Sequence, residues 1–151
     1  MEYSDIEKKN IQFLQSNEVH FATVRMTPNI LNHSIFDAKT EIRELLKEFC
    51  VHDFEAQQFG RNYKVFVKTH ILTFKREILT ETSLYRAETR GDERMWFGSA
   101  ILPLANPNDV YVIIPYDKEL YIVNVSQIDV AACVCTSISN PIRTIINLIQ
   151  S

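Results

Sequence analysis

Asp109-Val-Tyr-Val-Ile-Ile-Pro-Tyr116, followed after Asp117-Lys118 by Glu119-Leu-Tyr-Ile-Val-Asn-Val125, is the stretch whose reading decides the fold class. Both runs are rich in β-branched and aromatic residues, and the two-residue polar break between them has the length of a β-hairpin connection. Pro115 has no N–H to give to a ladder, so it marks an edge or a bend. Upstream, residues 77–88 and 95–104 read as two further strands on either side of a charged glycine turn. Before them, Tyr63-Lys-Val-Phe-Val-Lys-Thr-His-Ile-Leu72 puts Val65, Val67 and Ile71 on one face and Lys64, Lys68 and His70 on the other. That alternation predicts a half-buried strand with a basic outer side. His20-Phe-Ala-Thr-Val-Arg-Met26 is another strand, and the polar, proline-containing residues 27–34 after it read as a loop.

Helical spacing occurs in three places. Ser4-Asp-Ile-Glu7 has capping-box spacing and opens a helix to about Gln15, with Ile6, Phe13 and Leu14 on its buried side. Asp37 is placed to cap a second helix, in which Ile42, Leu45, Leu46 and Phe49 form one apolar stripe. Asn140-Pro141 starts a last helix with Ile142, Ile145, Ile146 and Ile149 at the same spacing; it either closes the core or begins a linker to a further domain. The expected class is α+β and mainly β: about seven mostly antiparallel strands in a curved or closed sheet, with two or three flanking helices. Strands do not alternate regularly with helices, and the three glycines, Gly60, Gly91 and Gly98, do not make a phosphate loop.

At 151 residues and 46% hydrophobic, the chain is expected to be a single domain, residues 1–151, with a real core. No apolar run is long enough to span a bilayer, and the charged N-terminus lacks the apolar centre of a signal peptide, so a cytoplasmic location without a membrane partner is expected. Cys50, Cys133 and Cys135 lack redox or metal-pair spacing and read as buried free thiols, and the four histidines are scattered, so no metal site is expected. The net charge of −3 conceals an asymmetry. Between residues 61 and 94, eight basic residues (61, 64, 68, 75, 76, 86, 90 and 94) face five acids (77, 81, 88, 92 and 93), so this third of the chain is +3 and the remainder −6. A localised positive face is compatible with nucleic-acid binding.

Two segments carry the vocabulary of recognition. The first is Arg25-Met-Thr-Pro-Asn29 with Asn32 and His33; the second runs from Arg86 through Thr89, Arg90, Asp92, Glu93 and Arg94 to Trp96. Charged residues are rarely fully buried unless paired, whereas a turn with arginine, acids and the sole tryptophan offers donors, acceptors and a stacking face. Arginine bonds bidentately to guanine, asparagine to adenine, and a carboxylate accepts from the cytosine amino group. No catalytic residue is assigned. A magnesium-dependent nuclease would need converging acids and a lysine, commonly as an acid-x-Lys triplet on a strand, and the triplets here, Glu7-Lys-Lys9 and Asp37-Ala-Lys39, stand at helix starts. The alternative reading, a compact nuclease with an atypical acid arrangement, requires Asp53, Glu55, Glu81 and Glu88 to converge in space.

The order of these pieces resembles a family, the B-three-type DNA-binding pseudobarrel, in the form found as the effector or specificity domain of some restriction endonucleases. The resemblance rests on Arg25-Met-Thr-Pro-Asn29 directly after the first strand, the helix at 37–49, the strand that begins at Tyr63, and Thr89-Arg-Gly-Asp-Glu-Arg94 with Trp96 close behind. It implies a pseudobarrel whose two arms grip the major groove of double-stranded DNA, here residues 25–33 and 86–96. It also implies that Arg25, Thr27 and Asn29 serve the first arm and Thr89, Arg90, Glu93 and Arg94 the second. Lys64 and Lys68 are added on charge alone as phosphate contacts. Binding of this kind takes no cofactor; magnesium would belong to a linked nuclease domain beyond Ser151.

Overall fold

The structure, a computed structural model, describes residues 2–72, 77–97 and 104–131. The hairpin forms as its sequence predicts: β6 (Asp109–Tyr116) and β7 (Glu119–Asn124) pair antiparallel around Asp117 and Lys118. Both turn residues have positive φ, 51° and 62°, the backbone twist that matches the twist of the flanking strands. Pro115 lies on β6 beyond the last β1 pair, Ala22 with Ile113, so its missing N–H is not needed on that side.

Around this hairpin the sheet grows from strands distant in sequence. β1 (Ala22–Met26) adds to β6, and β3 (Val65–Leu72) adds to β7 in the only parallel pairing of the described strands. β4 (Glu77–Arg86), β5 (Glu93–Trp96) and β2 (Ile35–Asp37) follow, giving the order β1-β6-β7-β3-β4-β5-β2 in a curled, half-barrel sheet. The sheet has two edges, β1 and β2. Three α-helices, α1 (Asp5–Ser16), α2 (Pro28–His33) and α3 (Thr40–Glu48), and two short 3-10 turns, Phe54–Ala56 and Arg61–Tyr63, complete the described elements. None is long and apolar enough to cross a membrane.

The inside of the curl holds the larger core, where Val24, Met26, Val67, Ile71, Leu84, Met95, Ile113 and Ile122 meet Ile42, Leu45 and Leu46 of α3. The outer face of β1, β6 and β7 holds a second core, in which Val110, Val112, Ile114 and Val123 pack under Leu14 of α1. Period-2 alternation divides the strands between these two cores. α1 is also fastened by polar groups. Asn10, fully buried, donates to the carbonyls of Val125 and Ile128 and accepts from the Val130 N–H. Glu7 accepts from the Ser126 hydroxyl at 2.6 Å and closes the capping box with Ser4. Burial alone would raise its pKa, but the hydrogen bonds from Ser126 and Ser4 and the charge of Arg25 together hold it below the ordinary carboxylate value.

Several expectations are corrected. Residues 27–34 are not a loop: Thr27 caps α2 and Pro28 occupies its first position. Asp37 does not cap α3; it ends β2, a strand that three residues are too few to announce, and Lys39 is the cap. The strand expected over 95–104 begins earlier, at Glu93, and β5 ends at Trp96; residues 98–103 of that expectation lie outside the described residues. In β3, His70 is buried against Tyr121 instead of facing solvent with the lysines, because β7 covers that end of the strand, while Val65 at the other end is exposed. Ile6 and Phe13 are only half-buried, and the buried side of α1 is Glu7, Asn10 and Leu14. Cys50 is exposed, not buried, at φ 58° just after α3. The helix read at 140–149 and Cys133 and Cys135 lie outside the described residues.

Candidate nucleic-acid interface

The two recognition segments flank the open side of the sheet. At the end of β1, the Thr27 hydroxyl accepts the Ile30 N–H at 3.3 Å, and Ser34 ends α2 in the left-handed region. α2 therefore spans the gap between the two edge strands, touching both β1 and β2. Asn29 and His33, four residues apart, share one face of it and line a concavity of about 640 Å³ with Arg25, Thr27, Lys39 and Arg94. Asn32 is exposed but does not line it.

The second segment is the turn from β4 to β5, and it is held firmly. The Ala87 N–H donates to Asp92 and the Gly91 N–H donates back to Ala87, at 2.9 and 2.8 Å. Arg86 donates through Nε to the Gly91 carbonyl at 2.7 Å, and its guanidinium lies 4.5 Å from the centre of the Phe59 ring. Phe59 in turn lies on Gly91, whose φ of +73° favours glycine and where an added Cβ would overlap three ring carbons. Below, His52 packs edge-on against Phe54 and bonds Gln57; burial holds its pKa below the ordinary histidine value, against the opposing effects of Gln57 and Asp53. This turn lines a second concavity of about 520 Å³, with Arg61, Arg86, Thr89, Arg90, Asp92 and Arg94 on its walls.

Ile35 and Arg94 line both concavities, so the two adjoin across the β2–β5 edge. Together they carry Arg25, Lys39, Arg61, Arg86, Arg90 and Arg94 against Asp37, Glu41, Glu88 and Asp92, a formal +2 on a chain of −3. The cations differ in availability. Arg25 donates to the carbonyls of Asn108 and Glu2 at 2.9 and 2.8 Å, and Arg86 is engaged in holding the turn. Glu93 sits between Arg43 and Arg86, at 3.6 and 3.9 Å, so its role is internal bracing. Arg94 is 3.7 Å from Asp92 and remains partly exposed. Thr89 and Arg90 are exposed at the tip, and Arg90 has no hydrogen bond or ion pair among the described residues.

Three expected contacts lie elsewhere. Lys64 covers the Tyr85 ring at 4.9 Å, and Lys68 stands opposite Glu81 and 3.9 Å from Glu119. Trp96 is on the outer face of the sheet, paired with Ser83 and Ile35. Sequence reasoning did not single out Ile35, Lys39 or Arg61 as site residues; the signal for Arg61 was its place in the basic run between residues 61 and 94.

Asp53, Glu55, Glu81 and Glu88 do not gather. Asp53 and Glu55 face Lys47, Glu81 stands opposite Lys68, and Glu88 lies over Gly60. Among the described residues no three His, Cys, Asp or Glu side chains are placed to hold a metal ion. Comparison of the chain with protein-family models, with curated proteins and with solved structures finds no match.

Proposed function

We propose that this chain is a sequence-specific double-stranded DNA-binding domain that grips the major groove between α2 and the β4–β5 turn. In this reading it is the recognition or effector domain of a restriction endonuclease, carries no catalytic residue, and leaves magnesium to a linked nuclease domain. The observation that carries the proposal is the adjoining of two segments 53 residues apart, one ending at His33 and one starting at Arg86, in a single positive concave surface on an acidic chain. A rigid turn that presents Thr89 and Arg90 suits base readout, because the conformational cost of ordering the arm is met before DNA arrives. Asp92 beside Arg94 favours discrimination, since a carboxylate near the duplex is repelled unless it finds an amino donor.

Selection from a randomised duplex pool at moderate salt, with and without magnesium, tests it. A short enriched motif without cleavage is the expected result. Magnesium-dependent cleavage by this chain would replace the proposal with the nuclease reading, and absence of enrichment would remove both arms from consideration.

A further inference from the structure

We propose that residues 141–149 dock on the outer face of β3, β4 and β5, beside α1, as the second helix of that layer. Among the described residues, every large hydrophobic side chain left exposed, Phe59, Tyr63, Val65, Phe66, Leu79 and Trp96, falls between residues 59 and 96. Three of them share the outer face, because the register sets Phe66 opposite Ser83, Ser83 opposite Trp96, and His70 opposite Leu79. Phe66 and Leu79 are each 59% exposed and Trp96 39%, and none of the three belongs to either core. The other half of the outer face, over β1, β6 and β7, is covered by α1. Charges of both signs surround the bare half and answer one another: Lys68 is 3.9 Å from Glu119 and opposite Glu81, and Arg94 is 3.7 Å from Asp92. A face of rings and aliphatic carbon whose charges are met locally suits an apolar cover.

The sequence supplies that cover. Residues 132–151 hold a single charged side chain, Arg143, and set Ile142, Ile145, Ile146 and Ile149 at helical spacing, a stripe that needs an apolar partner. The point of departure favours this face. Val130 is fully buried in the core under α1 and its N–H is held by Asn10, so the chain leaves the described residues on the outer side of the sheet. It leaves near the Leu79 end of the bare half, where β7 runs out after Val123 has paired with Leu72. The stretch from Ala131 to Ile142 reaches up to about 38 Å, ample for the step across. Packed helices lie about 8–10 Å apart and strands about 4.8 Å, so a helix next to α1 sits two strands over, above β3 and β4. The rows of Leu79 and Phe66 are about 13 Å apart along β3, and a helical stripe from Ile142 to Ile149 is about 10 Å long before its side chains are counted. The docking is independent of the DNA reading, since Phe66, Leu79 and Trp96 line neither concavity.

A photoreactive benzoyl-phenylalanine in place of Leu79 in the full chain tests the proposal; Leu79 is exposed, so the replacement should leave folding intact. Irradiation of dilute protein should join position 79 to a peptide of the same chain within residues 141–149, identified by mass spectrometry. Cross-links between two chains, which would make this face an interface between copies, or no cross-link to residues 141–149, would overturn it. Trp96, the only tryptophan, gives a second readout. Ile145→Asp with Ile146→Asp should abolish the cross-link, move Trp96 emission to longer wavelength and increase its quenching by acrylamide. Thr144→Asp with Asn147→Asp adds the same charge on the opposite side of the helical spacing and should leave all three as in the native chain. Equal behaviour of the two double variants would also overturn the proposal.

Discussion

Replacing Gly91 by alanine perturbs the second arm at one defined point. Its φ of +73° costs a side-chain-bearing residue about 1 kcal/mol relative to glycine. The new methyl group would also overlap the Phe59 ring, which must swing away and leave Arg86. The lost ring–guanidinium contact is worth about 0.5–1 kcal/mol at an exposed position, and lost packing adds a similar amount. The expected total is about 2–3 kcal/mol, read as a lower urea midpoint at unchanged slope, with Trp96 fluorescence as the probe. Phe59→Ala isolates the second part. In that background Gly91→Ala should cost only the backbone share, about 1 kcal/mol, a coupling of 1–2 kcal/mol. Equal costs in the two backgrounds would refute the claim that Phe59 clamps the turn. The same variant should weaken duplex binding beyond its effect on folding, because the arm loses its preset shape.

Other outcomes follow from the same contacts. Asn10→Ala removes one side chain from three buried backbone partners and should cost roughly 3 kcal/mol or more by urea denaturation, whereas Gln12→Ala, exposed on the same helix, should cost under about 0.5 kcal/mol. Arg90→Ala should lose roughly 1–3 kcal/mol of affinity on a selected duplex and relax its sequence choice, whereas Lys64→Ala should leave that affinity nearly unchanged, since Lys64 lies over the Tyr85 ring and lines neither concavity. The Glu7 carboxyl is held below the ordinary carboxylate value in the folded chain, so its stabilising share is present above the unfolded pKa and is lost as pH falls through the folded one. Glu7→Gln should therefore lower stability at pH 7 and show a smaller further fall on acidification to about pH 3 than the native chain, measured as urea midpoints.

The hairpin, the strands β3 and β4 and the stripe of α3 were legible in sequence because each rests on a local period or turn. What escaped was set by tertiary packing. His70 follows the parity of Lys64 and Lys68, and no periodicity shows that β7 covers only its end of the strand. α2 carries Pro28 and two asparagines, which read as a loop, yet Thr27 and Pro28 are also a cap and a first position; without an apolar stripe the two readings look alike. The two candidate segments stand out in sequence by their residue types, but the sorting of their arginines does not. Arg86 and Arg90 have the same chemistry in sequence, and it is Phe59, Gly91, Phe54 and Glu93 that make the first a brace, while the second has no such partner among the described residues.

The sheet order has a kinetic consequence. β1 finds its sheet partner in β6, with Met26 beside Asp109 and Ala22 beside Ile113, so the edge from which α2 springs needs chain from the far side of the molecule. Pairings this remote must close a long loop before any contact rewards it, which places such sheets among the slower folders, on the scale of milliseconds to seconds. During synthesis from the N-terminus, the α2 arm is made first and the β4–β5 arm later, yet neither has a counterpart across the gap until the hairpin of residues 109–124 has emerged and captured β1. On the proposed reading the two-arm surface is therefore completed late, when the hairpin of residues 109–124 anchors the first strand.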